Sequence, residues 1–260
     1  MSDPAAATQF TALTAAATGV DIDDDAALAP LYRYPDNLTR PWVRANMISS
    51  LDGGATTDGR SGGLGGAGDR ALFTRMRQEA DVILVGAATA RKENYGGAQM
   101  SAAQRRTRLA RNQAEVPPIA VISHQGEFDR STALFTSTEV LPLILTSRDG
   151  VAAATQRLGA DAEVIDASGP ESGSVDLATV LSIFAERALL RVLTEGGPAV
   201  LGLLIAAGLL DELCLTIAPV LLGGSARRIA DGVTTAPTPM HRTHLLSDGQ
   251  GYLYTRYMRG

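Results

Sequence analysis

The strongest constraint on this chain is a pattern that keeps returning: a short apolar run that stops at a glycine or a hydroxyl residue, followed by a stretch with helical spacing. Asp81-Val82-Ile83-Leu84-Val85-Gly86 leads into Ala87 to Arg91, and similar runs end at Ser123, Ser147 and Gly197 after starting at Ile119, Pro142 and Leu189. A parallel strand must cross over before it can pair with its neighbour, so buried runs alternating with helical stretches predict βαβ units around a mostly parallel sheet. Val43 to Ser49 reads as the first core strand and Leu213 to Leu222 as a late one. Tyr252 to Tyr257 alternates and suits an antiparallel edge. With 260 residues and 45% hydrophobic content, one large α/β domain over residues 41–260 can bury a full core.

The residues ahead of that domain, 1–40, are rich in Ala, Thr and Asp, with an acidic cluster at Asp21, Asp23, Asp24 and Asp25; they read as an N-terminal extension with a short helix packed on the domain. Between the first strand and the next element lies a loop with glycines at 62, 63, 65, 66 and 68. Asp69 then stands where a helix N-cap is expected, ahead of Leu72, Phe73 and Met76 at helical spacing. Residues 97–116, rich in Arg and Gln, predict an exposed helix.

Several function classes drop out. A net charge of −5 and a pI near 5.2 argue against a phosphate-backbone binder, so no nucleic-acid partner is expected. The one cysteine, Cys214, flanked by Leu213 and Leu215, reads as an inert buried thiol, and neither a disulfide framework nor a cysteine-based zinc site can be built from it. The longest apolar run, Val200 to Leu210, is far shorter than the ~20 residues that cross a bilayer and reads as a core helix. Asp3 sits where a signal peptide carries positive charge, which makes a cytoplasmic location the simplest expectation.

Three segments can carry chemistry. Leu193-Thr194-Glu195-Gly196-Gly197-Pro198 is a strand running into two glycines and a proline at helix position N1, where free N–H groups attract a pyrophosphate; it is equally a tight turn with Glu195 as a cap. Val85-Gly86-Ala87-Ala88-Thr89 repeats the arrangement, and two such turns in one sheet can hold opposite ends of a dinucleotide. Ser49-Ser50-Leu51-Asp52-Gly53 ends the first core strand, either where substrate and cofactor meet or as a turn with Asp52 as its Asx residue. No G-x-G-x-x-G follows a strand, so this is not a Rossmann fingerprint.

In this order and spacing the segments resemble the reductase domain of the riboflavin-biosynthesis RibD family, which has the dihydrofolate reductase-like fold: three layers, helices on both faces of a mostly parallel sheet, and an antiparallel C-terminal edge. The likeness runs from Pro41 to Arg259. Its carriers are Ser50-Leu51-Asp52-Gly53, Asp81 to Thr89, and Glu195-Gly196-Gly197 through Asp211-Glu212 to Ala218-Pro219-Val220-Leu221-Leu222-Gly223. The resemblance implies NADPH across the sheet, touching Gly86, Thr89, Gly196, Gly197, Ala199 and Val200. It puts Ser123, and less closely His124, near the adenosine, although Ser123 also serves simply to end its strand. It implies reduction of the ribose of a ribosylaminopyrimidine phosphate, and pairing as a homodimer, which would also cover an apolar sheet edge.

The sequence departs from the family in three places. The zinc deaminase domain of the bifunctional enzymes is not expected here; a family lysine six residues before Asp52 is Asn46; and a family Asp-x-Pro is Glu93-Asn94-Tyr95. Asp69-x-x-x-Phe73, seventeen residues ahead of Gly86, is instead similar to the Asp-x-x-x-Phe of true dihydrofolate reductases, whose carboxylate binds the 2-amino-4-oxo edge of a pterin; the alternative is an ordinary N-cap. The catalytic candidates are therefore Asp52, Asp69 and Glu195, with Asn46 and Glu93 as further substrate contacts. Three functions remain: a riboflavin-pathway reductase, a pterin or dihydrofolate reductase, and a non-catalytic NADPH-binding protein.

Overall fold

The computed structural model describes residues 24–57, 59–232 and 237–260. Asp21 and Asp23 of the acidic cluster lie outside the described residues, as does Asp58. Nine strands are described: β1 (Trp42–Ser50), β2 (Val82–Gly86), β3 (Ile119–Ser123), β4 (Leu143–Thr146), β5 (Glu163–Asp166), β6 (Arg191–Thr194), β7 (Glu212–Ala218), β8 (Met240–Ser247) and β9 (Leu253–Arg259). They form one sheet in the order β5-β4-β3-β2-β6-β1-β7-β9-β8, parallel from β5 to β7 and antiparallel from β7 through β9 to β8. The helices are α1 (Asp25–Tyr32), α2 (Ala67–Glu79), α3 (Ala87–Lys92), α4 (Ala102–Leu109), α5 (Ala133–Thr136), α6 (Arg148–Leu158), α7 (Leu177–Glu186) and α8 (Pro198–Ala206).

Alternate residues of the central strands feed two apolar layers, as the period of two requires. Ile83, Val85, Ile119 and Val121 pack with Leu28, Tyr32, Leu72 and Met76 of α1 and α2, while Val82, Leu84 and Ala120 pack with Val180 and Phe184 of α7 and Leu201 and Leu204 of α8. Cys214 belongs to the first layer, and burial raises its thiol pKa far above the ordinary value, in keeping with an inert residue.

The order places β6 between β1 and β2, so β1, β2 and β6 run side by side with their carboxyl ends on one edge of the sheet. Ligands of open α/β sheets collect at such an edge. At the opposite end, Glu212 of β7 binds two arginines, Arg44 of β1 through Nε at 2.6 Å and Arg256 of β9 through Nε at 2.7 Å. The same guanidiniums donate to the carbonyls of Leu31, Tyr32 and Arg33, where α1 ends. The carboxylate offsets one of the two cations and the helix C-terminus attracts both, so the cluster ties α1 to three strands.

Four expectations need correction. Asp69 is not the N-cap of α2; that position is Gly66, and Asp69 is the third helical residue, because the glycine-rich loop turns into the helix earlier than the apolar spacing suggests. The exposed helix expected over 97–116 shrinks to α4, and Arg108 within it is fully buried, donating to the carbonyls of Gln78, Ala80 and Ala114. The late strand ends at Ala218, not Leu222. The antiparallel edge strand is β8, whose exposed Thr, Arg and His positions gave no alternating apolar signal, and β9 lies inside it.

Candidate active site

At the carboxyl edge the two strand-Gly-helix turns meet. The Gly86 amide donates to the Gly196 carbonyl at 2.8 Å, and the Gly196-Gly197 peptide is cis. A side chain has no room at either turn: a Cβ on Gly86 would lie 3.0 Å from Val200 Cγ2, and one on Gly197 would collide with Thr89 Oγ1. Helix α8 begins with Pro198 directly after Gly197, and no side chain caps its first turn. Its leading N–H groups stay available to an anion at the place where glycine lets one approach. That is the fit a dinucleotide diphosphate requires.

Cavities open on either side of these turns. One of about 740 Å³ is lined by Asn46, Asp69, Thr89, Glu93, Glu195 and Gly197 among others. The other, about 990 Å³, is lined by Gly86, Ser123, His124, Ala199 and Val200, together with the cations Arg91 and Arg157. All but two of the residues singled out in the sequence therefore face one of two adjoining spaces. Gly196 contributes its carbonyl to the turn between them. Asp52 stays outside both linings: its carboxylate accepts Ser50 Oγ at 2.5 Å and the Gly223 amide at 2.6 Å, and these bonds hold its pKa down at about 2. It forms no Asx turn of its own but ties the end of β1 to the turn after β7, away from the two cavities where catalysis was expected of it. Ser123 Oγ accepts the Gly126 amide at 3.1 Å where its strand ends, and the residue also lines the second cavity.

Glu195 is the most constrained group. Both oxygens are bound by Arg77 of α2, each at 2.7 Å, and one also accepts the Tyr95 hydroxyl at 2.6 Å. The Arg77 guanidinium lies 4.2 Å from the Phe73 ring centroid. Burial alone would lower the Arg77 pKa, but Glu195 outweighs it and raises it. Burial and the neighbouring Glu195 charge likewise push the Tyr95 hydroxyl well above its ordinary value. Neither Arg77 nor Tyr95 was singled out from the sequence. The signal was there in Glu195 itself, since a carboxylate buried beside a core strand needs a cation.

Asp69 sits differently. It is half-buried, accepts a hydrogen bond from the Thr216 hydroxyl of β7, and its pKa is raised by burial, against which Thr216 and Arg70 act. Glu93 accepts both the Ser61 amide, at 2.8 Å, and the Ser61 hydroxyl. Among the described residues, no group of His, Cys, Asp and Glu is arranged to hold a metal ion, and no helix is long and apolar enough to cross a membrane.

Replacing Gly197 with valine is expected to weaken dinucleotide binding at least tenfold while the protein stays folded, because the side chain fills the cradle at α8. Calorimetry on the variant decides it: an unchanged affinity would remove the cradle from the cofactor site.

Known proteins are similar to this chain in sequence and in structure. A 2,5-diamino-6-ribosylamino-4(3H)-pyrimidinone 5′-phosphate reductase of Archaeoglobus fulgidus is 26% identical over 195 residues, covering 74% of this chain and 87% of the relative. The enzyme of that name from Methanothermobacter thermautotrophicus is 26% identical over 198 residues, covering 74% and 85%. The crystal structure of a pyrimidine reductase-like protein from Corynebacterium diphtheriae superposes with a TM-score of 0.77 at 30% identity, over 85% of this chain and 92% of that one. Residues 41–254 match the RibD C-terminal domain, and with the β1-β6-β2 edge and its paired glycine turns in place, the chain belongs to the RibD C-terminal domain family.

Proposed function

We propose that this protein is an NADPH-dependent reductase that converts a ribosylaminopyrimidine 5′-phosphate to its ribityl form. One observation carries the proposal: the glycine cradle at Gly86 and Gly197 and the carboxylates Asp69 and Glu195 open onto a shared edge of the sheet, so cofactor and pyrimidine would meet there. The family and the substrate in its relatives' names support it.

When bound, NADPH would supply the hydride that reduces the C1′–N double bond of the open-chain imine. The chain's residues do the rest. The Gly86 and Gly197 turns and the start of α8 would hold the diphosphate, and Arg91, Arg157 and Ser123 line the cavity suited to the phosphorylated adenosine. Glu195, clamped by Arg77 and Tyr95, would fix the wall where the reacting carbon stops. Asp69 would bind the pyrimidine edge, with Asn46 and Glu93 as further contacts. For the substrate's phosphate the same cavity offers Lys92 and Arg227, neither of which pairs with a carboxylate among the described residues.

Asp69 supports a second reading as well. A half-buried carboxylate at this place also suits the 2-amino-4-oxo edge of a pterin, and Asn46 puts a neutral amide in the same cavity lining. Oxidation of NADPH in the presence of each substrate tests both readings; failure with every candidate would leave a protein that binds the cofactor without using it.

A further inference from the structure

Helix α2 carries Asp69, Phe73 and Arg77 into the cavity of about 740 Å³, yet no side chain caps its first turn. Its N-cap is Gly66, and the chain arrives through a loop with glycines at 62, 63, 65 and 66. Those glycines are not alike. A Cβ on Gly62 would meet nothing, whereas one on Gly65 would lie 2.7 Å from Asp69 Oδ2, one on Gly66 3.0 Å from a ring carbon of Tyr252, and one on Gly68 would collide with the Tyr254 hydroxyl. From Gly65 onward glycine permits close approach.

Both tyrosines belong to β9 and project from one face of it, as residues two apart on a strand must. Their rings stack with centroids 6.2 Å apart. Tyr252 donates its hydroxyl to the Leu64 carbonyl at 3.0 Å, and Tyr254 donates to Asp248 Oδ2 at 2.7 Å. Asp248 is itself held, because its other oxygen accepts the Gln250 and Tyr252 amides across the turn between β8 and β9. Thr216 of β7 stands directly opposite Tyr254 in the sheet, and its hydroxyl donates to Asp69. One cross-strand pair therefore touches two consecutive residues of α2: Tyr254 lies against Gly68, and Thr216 binds Asp69.

Building on the reductase reading above, in which Asp69 meets the pyrimidine, we infer that Tyr254 is a positioning residue. Its hydroxyl, braced by Asp248, is the stop against which the first turn of α2 rests, and it sets where the Asp69 carboxylate stands in the cavity. Neither Tyr254 nor Asp248 lines the cavity itself. The antiparallel edge of the sheet thus has a part in the reaction although it touches no ligand.

The test compares the parent with Tyr254→Phe, which removes the hydroxyl and keeps the ring beside Tyr252. The variant should lose only about 2–4 °C in melting temperature, the worth of one hydrogen bond. NADPH affinity should be unchanged, since the Gly86 and Gly197 turns lie elsewhere. A small displacement of a substrate-binding group is costly, so kcat/KM with 2,5-diamino-6-ribosylamino-4(3H)-pyrimidinone 5′-phosphate should fall by about tenfold or more. Asp248→Asn keeps an oxygen for the turn amides and a group the Tyr254 hydroxyl can bond, so it should stay within about threefold of the parent, while Asp248→Ala should behave like Tyr254→Phe. Gly68→Ala presses α2 away from the same hydroxyl and should show the same loss.

The position of Asp69 is read separately, by carbon NMR titration of its carboxyl, with the signal identified by its loss in Asp69→Asn. Burial raises this group in the parent. In Tyr254→Phe and Gly68→Ala the midpoint should fall by about half a unit or more, because the freed first turn lets water reach the carboxylate. Lost activity with a lowered midpoint upholds the inference; parental kcat/KM in either folded variant, or a midpoint that stays or rises, overturns it. If the parent reduces no ribosylaminopyrimidine, the reductase reading fails by itself, and the Asp69 midpoints still decide the positioning.

Discussion

Replacing Glu195 with glutamine is expected to lower turnover by about 100-fold and melting temperature by roughly 6–12 °C. Arg77 is buried against Phe73 and Tyr95, with a side chain 17% exposed, and both of its contacts to Glu195 are charged. A glutamine retains the shape but not the charge, and stranding a buried cation costs about 3 kcal/mol or more. The wall of the cavity would shift with Arg77, and a misplacement near 1 Å is enough for a loss of that size in rate. Dinucleotide affinity should hold, because the Gly86 and Gly197 turns do not depend on this pair. Steady-state kinetics beside calorimetry separates the two effects, and a variant with parental turnover would show that the Arg77-Glu195-Tyr95 cluster is a structural strut remote from the reacting atoms.

At the other end of the sheet, Glu212→Gln is expected to destabilise the fold by about 3–5 kcal/mol with little direct effect on the cavity. Glu212 is fully buried and is the charge that Arg44 and Arg256 share; without it two guanidiniums are left beside the end of α1. Burial alone would raise the Glu212 pKa, yet the two arginines outweigh it and hold the carboxyl below its ordinary value. A folded pKa lower than the unfolded one contributes stability at neutral pH, and that contribution is lost as pH falls through the folded value. The parent should therefore lose stability on acidification and the variant should lose less, because its neutral side chain has no proton to take up. Urea titrations across the acidic range read this directly. Equal acid sensitivity in the two proteins would place the titrating groups elsewhere.

The central sheet was readable from the sequence because both faces are covered: strands such as Val82–Gly86 and Ile119–Ser123 are apolar throughout and end at glycine or serine. The glycine turns were equally legible, since Gly86, Gly197 and Pro198 carry their backbone requirement in their identity. What escaped notice depends on distant partners. β8 is an edge strand with a mostly solvated surface, so its residues obey no strict alternation. Arg108 resembles any surface arginine until α4 is folded against the end of α2, where backbone carbonyls take the place of water. Asp69 and Asp52 were both visible as acids next to glycines, and local signals could not separate them; one turns inward beside Thr216 of β7, the other caps the turn after β7. Arg77 and Tyr95 stand 118 and 100 residues from the carboxylate they hold.

Hydride transfer to a ribosylaminopyrimidine phosphate is tested most directly by oxidation of NADPH by the purified protein with 2,5-diamino-6-ribosylamino-4(3H)-pyrimidinone 5′-phosphate, with the product identified by mass and by loss of the ribosyl ring. The expected result is one NADPH consumed for each ribityl product formed. Tight binding of NADPH with no oxidation in the presence of this substrate, whether or not dihydrofolate is reduced, would contradict it.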